Sequence, residues 1–230
     1  MGVDEPVEAL VDRGWRDLAR IDAMLTRGEI DEESWHREVE KVVVPAYLAA
    51  KNPRGQSGSS SNAAQWEEAR RPLLQAVDRS GTFLDIGCAN GHLIECLERW
   101  ARVDGVVLEV YGLEISPELG DLARRRLPQW RGRIWTGNAY DFEPPMRFDF
   151  VRTGLEYVPP SRRQEFVRRL RTRYLNPGGR LIIGMQTELR SESSIEGTVS
   201  EWGNVIAGRV ERSHSDLRAV RRAFWIDRQP

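Results

Sequence analysis

The stretch FLDIGCANGHLIECL, residues 83–97, places an acid, Asp85, two residues before Gly87 and has Gly91 just ahead of a helix-like pattern. Gly87 lets the backbone turn sharply, and Ala89 and Gly91 keep side chains away from anything that approaches the turn. Amide groups at the start of the following helix favour a carboxylate or a phosphate. A corner of this kind either binds a nucleotide or is only a tight strand-to-helix connection. The dinucleotide fingerprint G-x-G-x-x-G fails, because positions 87, 89 and 92 are Gly, Ala and His. Further along, Glu114 ends an apolar run, Asn138 and Ala139 end another, and Thr153, Glu156 and Tyr157 follow a third. A carboxylate in the place of Glu114 can accept both hydroxyl protons of a ribose.

These residues need a scaffold to bring them together. FLDIG (83–87), VVLEVYGLEIS (106–116), RIWTGNA (133–139), RFDFVRTG (147–154) and RLIIGMQ (180–186) read as strands, with helical patterns at 92–101, 117–127 and 161–174 between them. NPGG (176–179) reads as a turn into the fifth strand, and 198–206 as a helix. Residues 207–214 and 217–227 alternate as an antiparallel pair. The expected fold is α/β: a doubly wound, mostly parallel seven-stranded sheet with an antiparallel C-terminal edge pair. Ligands of such sheets bind beyond the carboxyl ends of the strands, where the glycine turn lies.

Upstream, residues 6–50 repeat apolar residues at three and four, including Trp35, Val39, Val42 and Val43, with a break expected at Pro45. This predicts an N-terminal helical cap, either a packing layer or a lid. Lys51 to Asn62 has loop composition, and Gln56 and Ser57 stand close enough to the turn for such a loop to close over a ligand. A helix then carries Trp66, Ala69, Leu73 and Val77 on one face. The expected domains are a cap and loop over 1–61 and a Rossmann-like domain over 62–230.

Asp85, Gly87, Ala89 and Gly91 resemble motif I of the class I S-adenosylmethionine-dependent methyltransferases, (D/E)xGxGxG, with alanine in place of the middle glycine. Glu114 followed by Ile115 resembles the family's acid and its adenine-packing neighbour. Asn138-Ala139 resembles its Asp-Ala or Asn-Ala element, which meets the adenine edge, with Tyr140 able to pack over the base. LNPGGRLIIG resembles the family's turn into strand five. The similarity spans roughly 62–227 and identifies no subfamily. It implies S-adenosyl-L-methionine as cofactor, with Gln56, Ser57, Asp85, Gly87, Cys88, Ala89, Gly91, Glu114, Ile115, Asn138, Ala139 and Thr153 in its site. It also implies that Glu156 and Tyr157 face the methyl acceptor.

A methyl already activated on a sulfonium asks the protein chiefly to hold a nucleophile in line and exclude water. A base helps when the acceptor is a hydroxyl or an ammonium. Glu156 is the first candidate, and Tyr157 and His92 follow. His36 and His214 have no evident partner. No metal ligand spacing exists, and Cys88 and Cys96 form no disulfide framework, so no metal and a reducing cytoplasm are expected. No apolar run is long enough to span a bilayer, and no basic, apolar leader opens the chain. The formal net charge is -1, which argues against a general nucleic-acid or membrane binder. The arginine-rich stretches 123–133 and 161–173 read as solvated helix faces. The acceptor is therefore expected to be a small molecule, methylated on oxygen or nitrogen, and a homodimer is possible. An RNA or protein methyltransferase and a non-catalytic binding module are the alternatives.

Overall fold

The computed structural model describes residues 7–59, 61–189, 194–213 and 219–229. Two helices open the chain, α1 (Val7–Thr26) and α2 (Glu32–Ala49). Asp31 caps α2 by accepting the Ser34 N–H at 2.8 Å. Contrary to expectation, α2 runs straight through Pro45. The proline removes one backbone donor near the last turn, and burial of the α2 face that carries Trp35 offsets that loss. Asn62 and Gln65 form a capping box that starts α3 (Ala63–Arg70), which continues as a tighter helical stretch over Arg71–Ala76.

The sheet then builds in alternation: β1 (Gly81–Ile86), α4 (His92–Val103), β2 (Leu108–Glu114), α5 (Pro117–Arg126), β3 (Ile134–Thr136), β4 (Phe148–Thr153) and α6 (Arg163–Arg169). It ends with β5 (Leu175–Leu189), α7 (Ile195–Glu201), β6 (Gly208–Ser213) and β7 (Ala219–Asp227). The seven strands lie in the order β3-β2-β1-β4-β5-β7-β6, with β7 antiparallel to both β5 and β6. This is the expected doubly wound sheet with its antiparallel edge pair.

Neighbouring residues along each strand face opposite layers. Phe83, Val110, Phe150 and Ile182 pack on one side with Trp66, Leu97 and Trp100. Leu84, Tyr111, Val151 and Leu181 pack on the other with Phe166, Leu170 and Tyr174. Burial on both faces explains why these strands read as continuous apolar runs.

Three boundaries differ from the sequence reading. NPGG does not precede β5 but interrupts it: pairing jumps from Phe148–Leu175 to Phe150–Arg180, with Gly178 at φ +70° in the bulge. The 161–174 helix is regular only to Arg169 and widens into a π-turn over Leu170–Tyr174. The helix expected at 198–206 is α7, started earlier by Ser194 accepting the Gly197 N–H. His214 lies outside the described residues.

Candidate active site

β1, β2 and β4 end at one edge of the sheet, and the residues with chemical potential collect there. Gly87 turns the chain at φ +73°, and its N–H donates to the Leu113 carbonyl at 2.8 Å. A side chain at this position would meet the Tyr157 ring at 2.5 Å, so glycine is required for both conformation and space. Ala89 adopts the left-handed conformation, φ +47°, where the resembled motif has glycine. Its N–H donates to Glu114 Oε2 at 2.7 Å, and the Ser116 N–H donates to Oε1 at 3.0 Å. Glu114 is only 5% exposed. Burial pushes its carboxyl up to about 7 against the pull of the two amides. Each oxygen keeps a second lone pair for a ligand.

A cavity of about 550 Å³ opens over this edge. Of the residues singled out from sequence, Ser57, Asp85, Gly87, Cys88, Ala89 and Glu114 line it. So do Ile115, Asn138, Ala139, Glu156 and Tyr157. Glu156 is exposed there, its carboxylate lying against Gly154. Four others stand away from the cavity. Gly91 caps α4 at φ +76°, and Thr153 is fully buried with its hydroxyl on the Gly154 carbonyl. Gln56 turns back to its own loop, donating to the Ala50 carbonyl. His92 stacks on Trp66 and pairs with Glu95 at 3.2 Å. Burial alone would lower the His92 pKa, but its contacts with Cys96 and Glu95 raise it. The structure therefore does not bring His92 to the place where an acceptor would sit. Tyr140 is likewise absent from the cavity lining, because it packs under the Arg162 guanidinium.

Cys88 packs its sulfur against Gly112, and burial raises its thiol pKa well above normal, so it is filler rather than nucleophile. Asn138 folds its Oδ1 onto the Tyr140 N–H at 3.0 Å, which leaves its NH2 group as the free polar end.

Several residues that matter here were missed in the sequence. Arg152, inside β4, is buried and donates to Asp85 at 3.1 Å, to the Tyr157 hydroxyl at 3.2 Å and to the Gly184 carbonyl at 2.7 Å. Burial raises the Asp85 carboxyl to about 6 despite the Arg152 charge beside it. Burial likewise raises the Tyr157 pKa, keeping the phenol protonated. Arg70 lines the cavity over the Trp66 ring, with one hydrogen bond, to the Met185 carbonyl at 3.2 Å. Burial, helped by the charges of Arg152 and Arg221, lowers its pKa to about 10. The buried Trp66 indole N–H has no partner among the described residues. Asn90 is the hub of the turn: it accepts from the Ser57 hydroxyl at 2.6 Å and the His92 N–H at 3.0 Å, and donates to the Pro53 carbonyl at 2.9 Å. It thereby ties the loop after α2 to the glycine turn. An Asn inside the motif was visible in sequence, but its partner loop was not.

One face of α2 forms the opposite wall of the cavity, with Trp35, His36, Val39, Glu40, Val43 and Tyr47 at helical spacing. The arginines of the two basic stretches are largely paired: Arg124 with Asp121, Arg126 with Glu95, Arg162 with Glu32 and Arg169 with Glu143. Among the described residues, no group of His, Cys, Asp and Glu could hold a metal ion, and no helix is long and apolar enough to cross a membrane.

Residues 83–179, which include the turn, Glu114 and β4, match the family profile of a methyltransferase domain. Over that segment the chain is similar to methyltransferase domains. Solved structures share its fold at low identity. The 1,6-didemethyltoxoflavin-N1-methyltransferase of Burkholderia thailandensis, solved with 1,6-didemethyltoxoflavin and S-adenosylhomocysteine, superposes with a TM-score of 0.64 at 13% identity, over 87% of this chain and 92% of that one. The N-methyltransferase NodS of Bradyrhizobium japonicum WM9, solved with S-adenosylhomocysteine, gives 0.59 at 16% identity, over 83% and 98%. An O-methyltransferase segment of StiE gives 0.52 at 16% identity, over 83% and 81%. No curated protein matches this chain in sequence.

Proposed function

We propose that the protein transfers a methyl group from S-adenosyl-L-methionine to an oxygen or nitrogen nucleophile of a small-molecule acceptor. The observation that carries this reading is the cavity itself. The acid-and-glycine edge of the sheet forms its floor, and α2 with the loop through Ser61 forms its wall. A pocket closed by helices suits a small acceptor better than a polymer. The helices and loop over 1–61 act as the cap, and residues 62–230 as the domain that binds the donor. Two free cysteines fit a reducing cytoplasm.

The residues present fit this donor. Glu114 offers lone pairs to the ribose hydroxyls, Ile115 an apolar surface and Asn138 an amide to the base. Arg70, held by one hydrogen bond to the Met185 carbonyl, offers donors to the methionine carboxylate. Bound there, the sulfonium supplies an electrophilic methyl group. Glu156 stands over the same floor and takes the proton of a hydroxyl or ammonium acceptor. Tyr157, held by Arg152 and kept protonated, orients the acceptor by its hydroxyl rather than acting as base. The α2 wall excludes water. Thr153 and Gly91 support the floor without touching a ligand, and Gln56 and Ser57 hold the cap loop on Asn90.

Calorimetric titration with S-adenosylmethionine, S-adenosylhomocysteine and NAD tests the donor. Binding of the first two and not the third is expected, and failure of the first two to bind refutes the reading. Mass spectrometry on panels of phenols and amines, with bulk RNA and protein as controls, tests the acceptor. Methyl incorporation into RNA or protein alone would overturn the small-molecule part.

A further inference from the structure

β7 carries two arginines in succession, Arg221 and Arg222, and successive side chains of a strand point to opposite faces. Arg222 is ringed by carboxylates: Glu211 directly across on β6 at 2.7 Å, Glu188 on β5 at 2.9 Å and Glu196 on α7 at 3.9 Å. Arg221 is placed otherwise. It lines the cavity, half-buried, and the residue directly across from it on β6 is Arg212. Like charges directly opposite on a ladder lower stability. Among the described residues Arg212 donates to the Glu211 carbonyl, and neither Arg212 nor Arg221 forms an ion pair. One face of β7 is thus neutralised and the other, the cavity face, is not.

The register of the sheet says which part of the cavity this face serves. Thr153, the end of β4, pairs with Ile183 on β5, and Ile183 pairs with Phe224 on β7. Arg221 lies three residues beyond that level, roughly 10 Å along the strand. The β5–β7 pair therefore rises above the floor as a side wall, next to the β4 end that carries Glu156 and on the far side from Glu114. Arg70 leans on the same wall through the Met185 carbonyl, and the charge of Arg221 acts on it. Three guanidinium groups, those of Arg70, Arg152 and Arg221, line this end, and Asp85 engages only Arg152. The proposed donor brings one carboxylate, for Arg70, together with an ammonium and a sulfonium. With the donor bound, and Glu156 ionised, cations still outnumber carboxylates here.

An anion is the complement such a wall lacks, and the planar fork of a guanidinium matches a carboxylate or a phosphate with two parallel hydrogen bonds. We propose that Arg221 is an acceptor-specificity residue: its guanidinium, with Arg212 beside it on the ladder, binds an anionic group of the methyl acceptor. The acceptor lies over the floor with its nucleophile toward Glu156 and its charged end on the β5–β7 wall. It is then a small carboxylic acid or phosphate ester rather than a neutral phenol or amine. The inference rests on the proposed S-adenosylmethionine donor and adds to it the chemical class of what is methylated.

The test is calorimetry on the full chain saturated with S-adenosylhomocysteine, titrated with hydroxybenzoate, hydroxyphenylacetate, aminobenzoate and phenyl phosphate. Each carboxylic acid is paired with its methyl ester and the phosphate with phenol. The wild type, Arg221→Gln and Arg221→Lys are compared, with circular dichroism to confirm folding. The wild type should bind acids of this panel more tightly than their neutral partners by roughly tenfold or more, as expected for charge-assisted hydrogen bonds. Arg221→Gln should abolish that preference and leave the affinity for S-adenosylhomocysteine unchanged. Arg221→Lys keeps the charge without the fork and should retain part of the preference. Neutral partners bound as tightly as the acids by the wild type, or no acid bound at all, overturns the proposal. So does an unchanged preference in Arg221→Gln. A loss of S-adenosylhomocysteine affinity in Arg221→Gln overturns it too, since Arg221 would then serve the donor carboxylate. If Arg221→Gln fails to fold, a full preference in Arg221→Lys that also survives high salt in the wild type counts against it. Failure of the wild type to bind S-adenosylhomocysteine is a separate result: it refutes the donor reading, and the role of Arg221 toward an acceptor with it.

Discussion

Replacing Glu114 by Gln separates the two demands placed on this side chain, holding the floor of the site and binding the ribose. In the wild type both oxygens accept backbone amides, from Ala89 at 2.7 Å and Ser116 at 3.0 Å. A glutamine accepts one of these and turns its own NH2 toward the other, leaving one buried amide unpaired. That costs about 1–3 kcal/mol. The pH dependence adds a second signature. The folded-state pKa of Glu114 is raised from 4.5 to about 7 by burial. A raised pKa means that the stability it contributes is fully present below the unfolded value and lost as pH climbs to the folded one. With about 1.4 kcal/mol per pKa unit, the wild type loses on the order of 3 kcal/mol across this window, and a group this buried needs little discount for solvent. Glutamine does not titrate, so the deficit of Glu114→Gln is largest near pH 4.5 and shrinks by roughly that amount by pH 7.5. The Asp85 carboxyl titrates within the same window and its charge helps raise that of Glu114, so it cancels from the difference only in part. Urea denaturation at a series of pH values measures it. Calorimetry should show S-adenosylhomocysteine bound about 10- to 100-fold more weakly by the variant, and more tightly by the wild type as pH rises through 7. A stability difference independent of pH would refute the desolvated state of Glu114. Unchanged ligand affinity would refute its ribose role.

Other substitutions probe the same edge. Ala89→Gly relieves a left-handed alanine at φ +47° and should stabilise the protein by up to about 1 kcal/mol in urea denaturation, leaving donor affinity unchanged. Arg70→Ala should weaken S-adenosylhomocysteine about tenfold but leave a decarboxylated analogue unaffected; equal loss for both would rule out a carboxylate contact. Glu156→Gln should lower kcat on the true acceptor by about 100-fold at unchanged donor affinity, and full turnover would end its candidacy as base.

The strands were legible because each is buried on both faces and bounded by a turn or a helix cap. Their mostly parallel, doubly wound arrangement followed from the alternation with helices. The NPGG bulge was misplaced for a local reason: glycine at positive φ marks a departure from regular pairing, but it does so equally in a turn and in a bulge within a continuing strand. Pro45 misled because its local cost is read from one residue, whereas the packing that offsets it comes from the rest of α2. Arg152 read as an ordinary strand residue, since a buried cation is recognisable only when its carboxylate partner, 67 residues earlier in β1, is placed beside it.

The cap shows where sequence periodicity stops. Spacing of three and four along α2 identified a face with something to bury, and a core, a second helix and a ligand all meet that requirement alike. The polar members of the face decide between them. A core-facing stripe has no use for a glutamate, or for a histidine whose Nε2 finds no partner among the described residues. Burial raises the Glu40 carboxyl, and the nearby charge of Glu118 raises it further, which places Glu40 near the first turn of α5. The same helix thus turns His36, Glu40 and Tyr47 toward the cavity. A cap built this way brings polar groups, and not only an apolar cover, to the wall of the cavity.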